Sequence, residues 1–253
     1  MQNLNYGVIG NCSTAALISE KGAIEWLCFP EFDSPSVFAA ILDRQKGGHF
    51  GFKVTSDYKV TQSYVPHTNI LSTHFESEEG AFDVVDFMPC YPTSDGKDFY
   101  RPAEIYRYIR WAKGRPRMKV DYRPAPNYAR GKTIYNVTSQ YVETYSSAKN
   151  KDRQYLYSSL DLKKVVNHDE ITLEKDEFFL FSFNEKVIPV DIEREKLEYC
   201  RTLVYWLNWT DHAKRYTRYN EVIERSMLVL KLMTYRNGAV MAAVTTSLPE
   251  TVG

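Results

Sequence analysis

Arg117-Met118-Lys119-Val120-Asp121-Tyr122-Arg123 decides the fold class of this chain. Apolar side chains occupy every second position of the stretch, and charged side chains fill the positions between them. Because successive side chains of a β-strand point to opposite faces, this alternation predicts a strand with one face in a core and the other in solvent. We therefore expect a protein built largely of half-buried strands.

The same alternation continues on both sides of this strand. Residues 104–111 place Arg107 on the same face as Ile105 and Ile109. Residues 178–183 carry apolar side chains on both faces, which predicts a strand that is covered on both sides. The other predicted strands are 5–9, 15–19, 23–28, 48–54, 58–65, 69–76, 81–88, 133–145, 154–158 and 170–174. Short strands of this number and spacing favour a large antiparallel sandwich.

Three segments have helical patterns instead. Ser34 is a good N-cap and Pro35 fits the first helical position, so a short helix is predicted over 34–42. A linker helix is predicted over 191–215 and a further C-terminal helix over 219–235, whose apolar face is wider than a surface helix needs. The apolar residues of the linker helix form two strips, Leu197, Cys200, Val204 and Leu207 on one and Tyr199, Leu203 and Trp206 on the other.

Composition and charge exclude several classes of protein. Lys plus Arg and Asp plus Glu number 32 each, so the formal net charge is zero. A nucleic-acid-binding protein would carry a basic excess, and so would a protein held on an anionic membrane surface. The chain shows no signal peptide and no apolar run of about 18 residues, which predicts a cytoplasmic location. Its four cysteines are widely spaced, which predicts buried free thiols in a reducing compartment.

The motifs of common catalytic and cofactor sites do not occur in the sequence. The five histidines show no metal-ligand spacing, and the chain has no phosphate-binding glycine loop and no nucleophile elbow, so no metal or cofactor is expected. Paired carboxylates remain as candidates for glycosidic-bond chemistry. Asp83 and Asp86 lie three apart in one predicted strand, so they point to opposite faces and cannot flank one bond. Glu31 and Asp33 would point the same way in an extended segment.

Six segments carry a family resemblance. They are Ile9-Gly10-Asn11-Cys12-Ser13-Thr14-Ala15-Ala16-Leu17-Ile18, the run from Gly22 to Phe38 that contains Trp26-Leu27-Cys28-Phe29-Pro30-Glu31-Phe32-Asp33-Ser34-Pro35-Ser36-Val37-Phe38, Gly47-Gly48-His49-Phe50, Asp83-Val84-Val85-Asp86-Phe87-Met88-Pro89, Arg225 to Tyr235, and Thr245-Thr246-Ser247-Leu248-Pro249-Glu250. In this order they resemble the bacterial and archaeal branch of glycoside hydrolase family 15, which includes glucoamylases, glucodextranases and trehalase-like enzymes. Glu31 departs from that pattern, because the family has Arg or His at its position.

The resemblance implies an antiparallel β super-sandwich, a linker helix and then an (α/α)6 barrel that hydrolyses α-glucosidic bonds with inversion. It implies three parts, residues 1–188, 189–216 and 217–253, the last being the first helix and loop of the barrel. The family's two catalytic glutamates come from the barrel beyond Gly253, so no catalytic residue is assigned here and the chain alone is expected to be inactive. The candidates for a substrate rim are Glu31, Phe32, Asp33, Ser34 and Glu250.

The expected role is structural support for the barrel, and the expected ligand of the parent enzyme is an α-glucan or α-glucoside. The wide apolar face of the C-terminal helix is expected to be covered by the barrel or by a second copy of the chain, because such a face rarely stays exposed. A stand-alone carbohydrate-binding module, a protein-interaction module and an enzyme similar to aldose epimerases are the alternatives. No nucleic acid and no membrane is expected as a partner.

Overall fold

A computed structural model of the protein describes residues 5–188 and 190–245. The described part is mainly β and is organised around two large antiparallel sheets, which confirms the predicted fold class. The strands are β1 (Tyr6–Gly10), β2 (Ala15–Ser19), β3 (Ile24–Cys28), β4 (Ser36–Phe38), β5 (His49–Lys53), β6 (Lys59–Tyr64), β7 (Leu71–Ser77), β8 (Gly80–Phe87), β9 (Tyr91–Pro92), β10 (Phe99–Tyr100), β11 (Glu104–Gly114), β12 (Arg117–Arg123), β13 (Thr133–Val137), β14 (Val142–Ser146), β15 (Lys149–Ser158), β16 (Glu170–Thr172) and β17 (Glu177–Phe183). The helices are α1 (Leu162–Asn167), α2 (Ile192–Asp211) and α3 (Asn220–Leu232).

Two sheets face each other across an apolar core. Sheet A has the strand order β1-β2-β3-β5-β12-β16, with β4 paired to β3, and sheet B has the order β13-β14-β15-β17-β11-β8-β7-β6. Aromatic residues from both sheets meet between them. Phe50 of sheet A meets Phe179 of sheet B edge-on at 5.3 Å between ring centroids, and Phe38 lies 5.5 Å from Phe181. Each such pair adds about 0.5–1.5 kcal/mol to the effect of burial alone.

Helix α2 covers the outer face of sheet B, and α3 packs into the same apolar cluster beside β1 of sheet A. On β17, Phe179 and Phe181 point into the core between the sheets, whereas Phe178 and Leu180 point into a second cluster under the helices. This confirms that residues 178–183 form a strand covered on both sides. The buried side chains that α2 and α3 contribute to this second cluster are Tyr205, Trp206, Leu228 and Leu232, and partly buried ones such as Tyr199 and Leu203 pack against it. The β-sandwich and the two helices therefore share one packed boundary.

The buried face of α2 contains Trp206, which belongs to the second of the two apolar strips expected from the sequence. Asp191 caps the helix by accepting a hydrogen bond from the backbone N–H of Arg194 at 2.8 Å. The face that contacts sheet B contains Trp206, Tyr205 and even Glu195, while the predicted strip of Leu197, Val204 and Leu207 is exposed. The sequence pattern located the helix correctly, but it did not show which of two apolar strips the sheet would cover.

The short helix predicted over 34–42 is wrong. Residues 36–38 form β4 instead, and the chain then turns back so that the N–H of Ala39 donates to the carbonyl of Gly47 at 2.7 Å. Val37 and Phe38 are buried in the core between the sheets. The β-branched and aromatic side chains gain more from pairing with β3 than the local capping signal offers.

Smaller differences concern short elements. The predicted strand 133–145 is a hairpin of two strands, β13 and β14, and the two-stranded hairpin β9–β10 and helix α1 had no counterpart in the prediction. In the described residues, no helix combines the length and the apolar character needed to cross a membrane.

A buried ion pair within sheet B also contacts sheet A. Arg107 of β11 is fully buried on the core side, on the same face of the strand as Ile105 and Ile109. Its Nε donates to Oδ1 of Asp86 on the neighbouring strand β8 at 2.7 Å, and its Nη1 donates to the carbonyl oxygen of Phe50 in sheet A at 2.6 Å. The guanidinium group therefore satisfies its donors in both sheets although it lies in an apolar core.

A second charged cluster lies on the outer face of sheet A. Asp121 of β12 accepts hydrogen bonds from His49, Lys53 and Arg123 at 2.7–2.8 Å. Burial disfavours the ionised carboxylate, but the hydrogen bonds from Lys53, His49 and Arg123 outweigh it and hold the pKa of Asp121 well below its usual value.

Asp121→Asn is expected to lower the free energy of unfolding at neutral pH by about 1–2 kcal/mol, a modest loss because Lys53 and Arg123 are largely solvated. Since the pKa is lower in the folded than in the unfolded chain, this contribution is present above the unfolded value of about 4 and is lost as pH falls through the folded value. Urea unfolding at several pH values should show the difference from wild type shrinking below about pH 4. Asp57→Asn, in an exposed turn, serves as the control, and a difference for Asp121→Asn that does not change with pH would contradict the assignment.

Candidate functional site

Residues 29–34 form a tight turn that leaves β3 beside the end of α3. The N–H of Ser34 donates to the carbonyl of Glu31, and the N–H of Glu31 donates to Oγ of Ser34, both at 3.1 Å. Ser34 therefore closes this turn instead of starting a helix. The N–H of Phe32 donates to the carbonyl of Ser13 at 3.0 Å, which fixes the turn on the β1–β2 loop.

The structure separates the predicted rim residues. Phe32 is buried in the cluster beneath α2 and α3, so its ring is a core residue. Glu31 and Ser34 are half-buried, and Asp33 is exposed at the tip of the turn. Because the segment turns, Glu31 and Asp33 are not arranged as in an extended strand. Glu250 lies outside the described residues.

Glu31 is held by a residue that the sequence analysis did not single out. The hydroxyl group of Tyr235, which follows α3, donates to Oε1 of Glu31 at 2.6 Å. The hydrogen bond to Glu31, together with burial, raises the pKa of Tyr235, because the carboxylate favours the protonated hydroxyl. This contact joins residues 204 positions apart and brings the turn against the segment after α3.

A polar groove of about 710 Å³ opens beside Glu31. Its lining residues are Ser13, Pro30, Glu31, Lys97, Asp98, Phe99, Arg101, Ala103, Arg236 and Asn237. Hydrolysis of a glycosidic bond needs one protonated and one ionised carboxyl group on opposite sides of the bond. The carboxylate of Asp98 is solvent-exposed and lies 3.9 Å from the guanidinium of Arg101, and Glu31 is bonded to Tyr235. The groove therefore offers charged and polar side chains that can form hydrogen bonds with a polar ligand.

A larger groove of about 1400 Å³ lies between α2 and the β9–β10 hairpin. Its aromatic lining comes from both elements and comprises Tyr91, Phe99, Tyr100, Tyr205 and Trp209. Phe99 meets Tyr205 edge-on at 6.0 Å, and Tyr91 lies 5.1 Å from Tyr100. Aromatic faces combined with polar side chains are typical of sites for small ligands.

One buried acid, Glu198, lines this aromatic groove, and a second, Glu104, lies near it. Oε2 of Glu198 on α2 accepts a hydrogen bond from the hydroxyl of Tyr91 at 2.7 Å. Burial raises the pKa of the neighbouring Glu104, although the Tyr106 hydroxyl and Arg194 favour its charged form. Burial and the neighbouring carboxylates also raise the pKa of Tyr100 to about 12. Of the aromatic residues that line the groove, Phe99 is exposed, whereas Tyr205 is buried.

The two grooves contain residues that the sequence did not single out. Arg101 and Arg236 are isolated in sequence, and only folding brings them beside Glu31. The β9–β10 hairpin did carry one signal, because Ser94-Asp95-Gly96 is a turn sequence. Within residues 5–188 and 190–245, no three side chains of His, Cys, Asp or Glu converge in a way that could hold a metal ion.

Comparison with known proteins gives consistent results. The sequence profile of the family described as trehalase-like, N-terminal, matches residues 5–150. A trehalase of Thermoplasma acidophilum is 30% identical over 247 residues, which cover 94% of this chain and 41% of that protein. Trehalase 1 of Sulfolobus acidocaldarius is 32% identical over 255 residues, covering 98% and 40%, and a trehalase of Mycolicibacterium smegmatis is 28% identical over 278 residues, covering 98% and 40%. The chain thus spans about two fifths of the length of the curated relatives it matches.

Proposed function

The chain belongs to the trehalase-like N-terminal domain family, and on that basis we propose that it is the non-catalytic N-terminal domain of a glycoside hydrolase that acts on α-glucosidic bonds, of the trehalase or glucoamylase type. In this proposal the β-sandwich supports a catalytic barrel that lies beyond it in a longer protein. The turn at residues 29–34 faces the substrate side, with Glu31 and Asp33 at its rim.

The observation that carries the proposal is the way in which the sandwich holds α3 and the segment after it. Nδ2 of Asn69 donates to the carbonyl oxygen of Leu228 within α3 at 3.0 Å. Beyond α3, Tyr235 bonds to Glu31, and Nε1 of Trp26 donates to the carbonyl oxygen of Val244 at 2.8 Å. Anchors from separate strands and loops thus fix the path of the chain from Leu228 to Val244. A domain that positions a neighbouring catalytic domain needs contacts of this kind.

The exposed apolar residues of the two helices also support this proposal. On α2 the uncovered strip includes Val204, which is 64% exposed, and on α3 Val222 and Leu230 are exposed. Exposed apolar side chains on both helices favour a partner that removes them from water. We infer that the catalytic barrel covers them in the longer protein, and that a second copy of this chain is the alternative cover. The predicted division at residues 188 and 216 and the cytoplasmic location stay predictions.

The proposal predicts that the chain of 253 residues releases no glucose from trehalose, maltose or maltooligosaccharides above the rate of a heat-denatured sample. A coupled glucose assay at high protein concentration measures this, with a full-length trehalase as the positive control. If the chain releases glucose with repeated turnover, and the Glu31→Gln variant does not, the sandwich carries its own active site and the proposal is wrong.

The aromatic groove favours a second candidate function, a carbohydrate-binding module. Calorimetric titration of the same sample with the same sugars distinguishes a carbohydrate-binding module from a purely supporting domain. A domain that only supports the barrel should release no heat of binding at millimolar sugar concentrations. Binding that is abolished in Trp209→Ala, while it survives in Leu42→Ala on a different exposed surface, would favour the binding module.

A further inference from the structure

Two cysteines that are 78 residues apart in sequence meet in the folded chain. Sγ of Cys12, in the β1–β2 loop, lies 4.0 Å from Sγ of Cys90, which follows β8. Both side chains are buried, with relative exposures of 2% for Cys12 and 1% for Cys90. The β1–β2 loop belongs to sheet A and β8 belongs to sheet B, so the thiol pair lies where the two sheets come together under the helices.

The surroundings make the two thiols unequal. Sγ of Cys12 also lies 3.4 Å from the carbonyl oxygen of Lys231, near the end of α3. The hydrogen bond from Cys90 lowers the pKa of the Cys12 thiol against the opposing effect of burial. The same contact and burial raise the pKa of Cys90. Cys12 is therefore the better nucleophile of the pair, because the thiolate is the reactive form.

We propose that Cys12 and Cys90 form a reversible disulfide, and that the pair is a redox modification site of this domain. The sulfur atoms are already in contact, so bond formation requires them to approach by only about 2 Å. The bond would join the β1–β2 loop to the end of β8 and close a loop of 78 residues.

The oxidant is a small disulfide such as oxidised glutathione. The Cys12 thiolate attacks one sulfur of the oxidant, which forms a mixed disulfide and releases one glutathione thiolate. Cys90 then loses its proton to that thiolate and attacks Sγ of Cys12, which releases the second glutathione as a thiolate. This thiolate takes up from solvent the proton that Cys12 lost when it ionised. Two protein thiols are oxidised, one small disulfide is reduced to two thiols, and the reverse exchange with a dithiol restores the starting state.

Access to the pair runs through the C-terminal end of α3. The carbonyl oxygen of Lys231, in the last turn of this helix, contacts Sγ of Cys12. Because helix ends open locally more often than central strands do, the oxidant reaches Cys12 when this last turn opens, while the hydrogen bond from Asn69 to Leu228 still holds α3 on the sandwich. The disulfide would in turn fix the loop whose Ser13 carbonyl holds the turn at residues 29–34.

The test uses the whole chain with Cys200→Ser, which removes the exposed thiol and prevents links between molecules. The protein is incubated with oxidised glutathione under native conditions, alkylated, digested without reductant and analysed by mass spectrometry. We expect one linked peptide pair that joins Cys12 to Cys90, with Cys28 recovered as a free thiol. Dithiothreitol should reverse the link, and the linked form should unfold at a Tm higher by on the order of 10 °C.

Single variants test the order of the two steps. Cys90→Ser should accumulate glutathione on Cys12, whereas Cys12→Ser should leave Cys90 unmodified, and Cys28→Ser should not change the link. The proposal is overturned if Cys12 and Cys90 both stay free under these conditions, if they are linked only after denaturation, or if Cys28 is linked to either of them as often. The main measurement, the search for linked peptides, uses a chain that keeps both Cys12 and Cys90. It therefore remains valid even if one of the single variants Cys12→Ser or Cys90→Ser fails to fold.

Discussion

Replacing Asp86 with alanine is expected to lower the free energy of unfolding by about 3–5 kcal/mol, as measured by urea unfolding at neutral pH. Asp86 accepts hydrogen bonds from Nε of Arg107 at 2.7 Å and from Nη2 at 3.2 Å. Both side chains are fully buried between the sheets. Removing the carboxylate leaves a guanidinium without its counter-charge where water cannot reach it, and this loss exceeds that of any exposed ion pair.

Asp83→Ala is the matched control, because Asp83 lies three residues earlier on the same strand and points to the other face. There it pairs with Arg110 at 2.9 Å and with His74 at 2.7 Å, and the Arg110 side chain is exposed. We expect a loss of at most about 1 kcal/mol. Equal losses for the two aspartates would contradict the role assigned to the buried pair. The double variant Asp86→Leu with Arg107→Met should lose less than Asp86→Ala alone, since it buries no unpaired charge.

The contrast between these aspartates shows what the sequence could predict. Their spacing placed them on opposite faces, and the alternation around Arg107 placed it on the same face as Ile105 and Ile109; both follow from the two-residue repeat of a strand. The partner of Arg107 could not be predicted in the same way. Pairing between β8 and β11, which sets Asp86 opposite Arg107, depends on which strands become neighbours in the sheet.

Local sequence patterns predicted the structure least well where contacts between distant parts of the chain determine it. Ser34 and Pro35 offered a helix start, yet the burial of Val37 and Phe38 and their pairing with β3 produced a strand. The candidate site shows the same limit. The turn at Glu31 was found from a motif, but Tyr235 and Arg236 reach it only because α3 packs on the sandwich, and no periodicity in the sequence indicates that contact.

The packing of α2 leads to the second large expected effect. Trp206 is fully buried between α2 and sheet B, where it meets Tyr205 edge-on at 4.9 Å. Trp206→Ala is expected to lower the free energy of unfolding by about 3–5 kcal/mol, the range for deleting a large aromatic side chain from a core. Val204→Ala, two residues earlier on the exposed strip of the same helix, should change it by no more than about 0.5 kcal/mol.

This pair of variants also decides whether α2 is a separate linker or part of the sandwich. If α2 belongs to one cooperative unit with sheet B, far-UV circular dichroism and tryptophan fluorescence should report a single coincident transition in wild type, and Trp206→Ala should shift both signals together. A helix that only links two domains would unfold before the sheets. Trp206→Ala would then shift only the part of the circular dichroism transition that comes from the helix. Because Trp206 shares its cluster with Phe87 and Tyr106 of the central strands of sheet B, we expect the coincident transition.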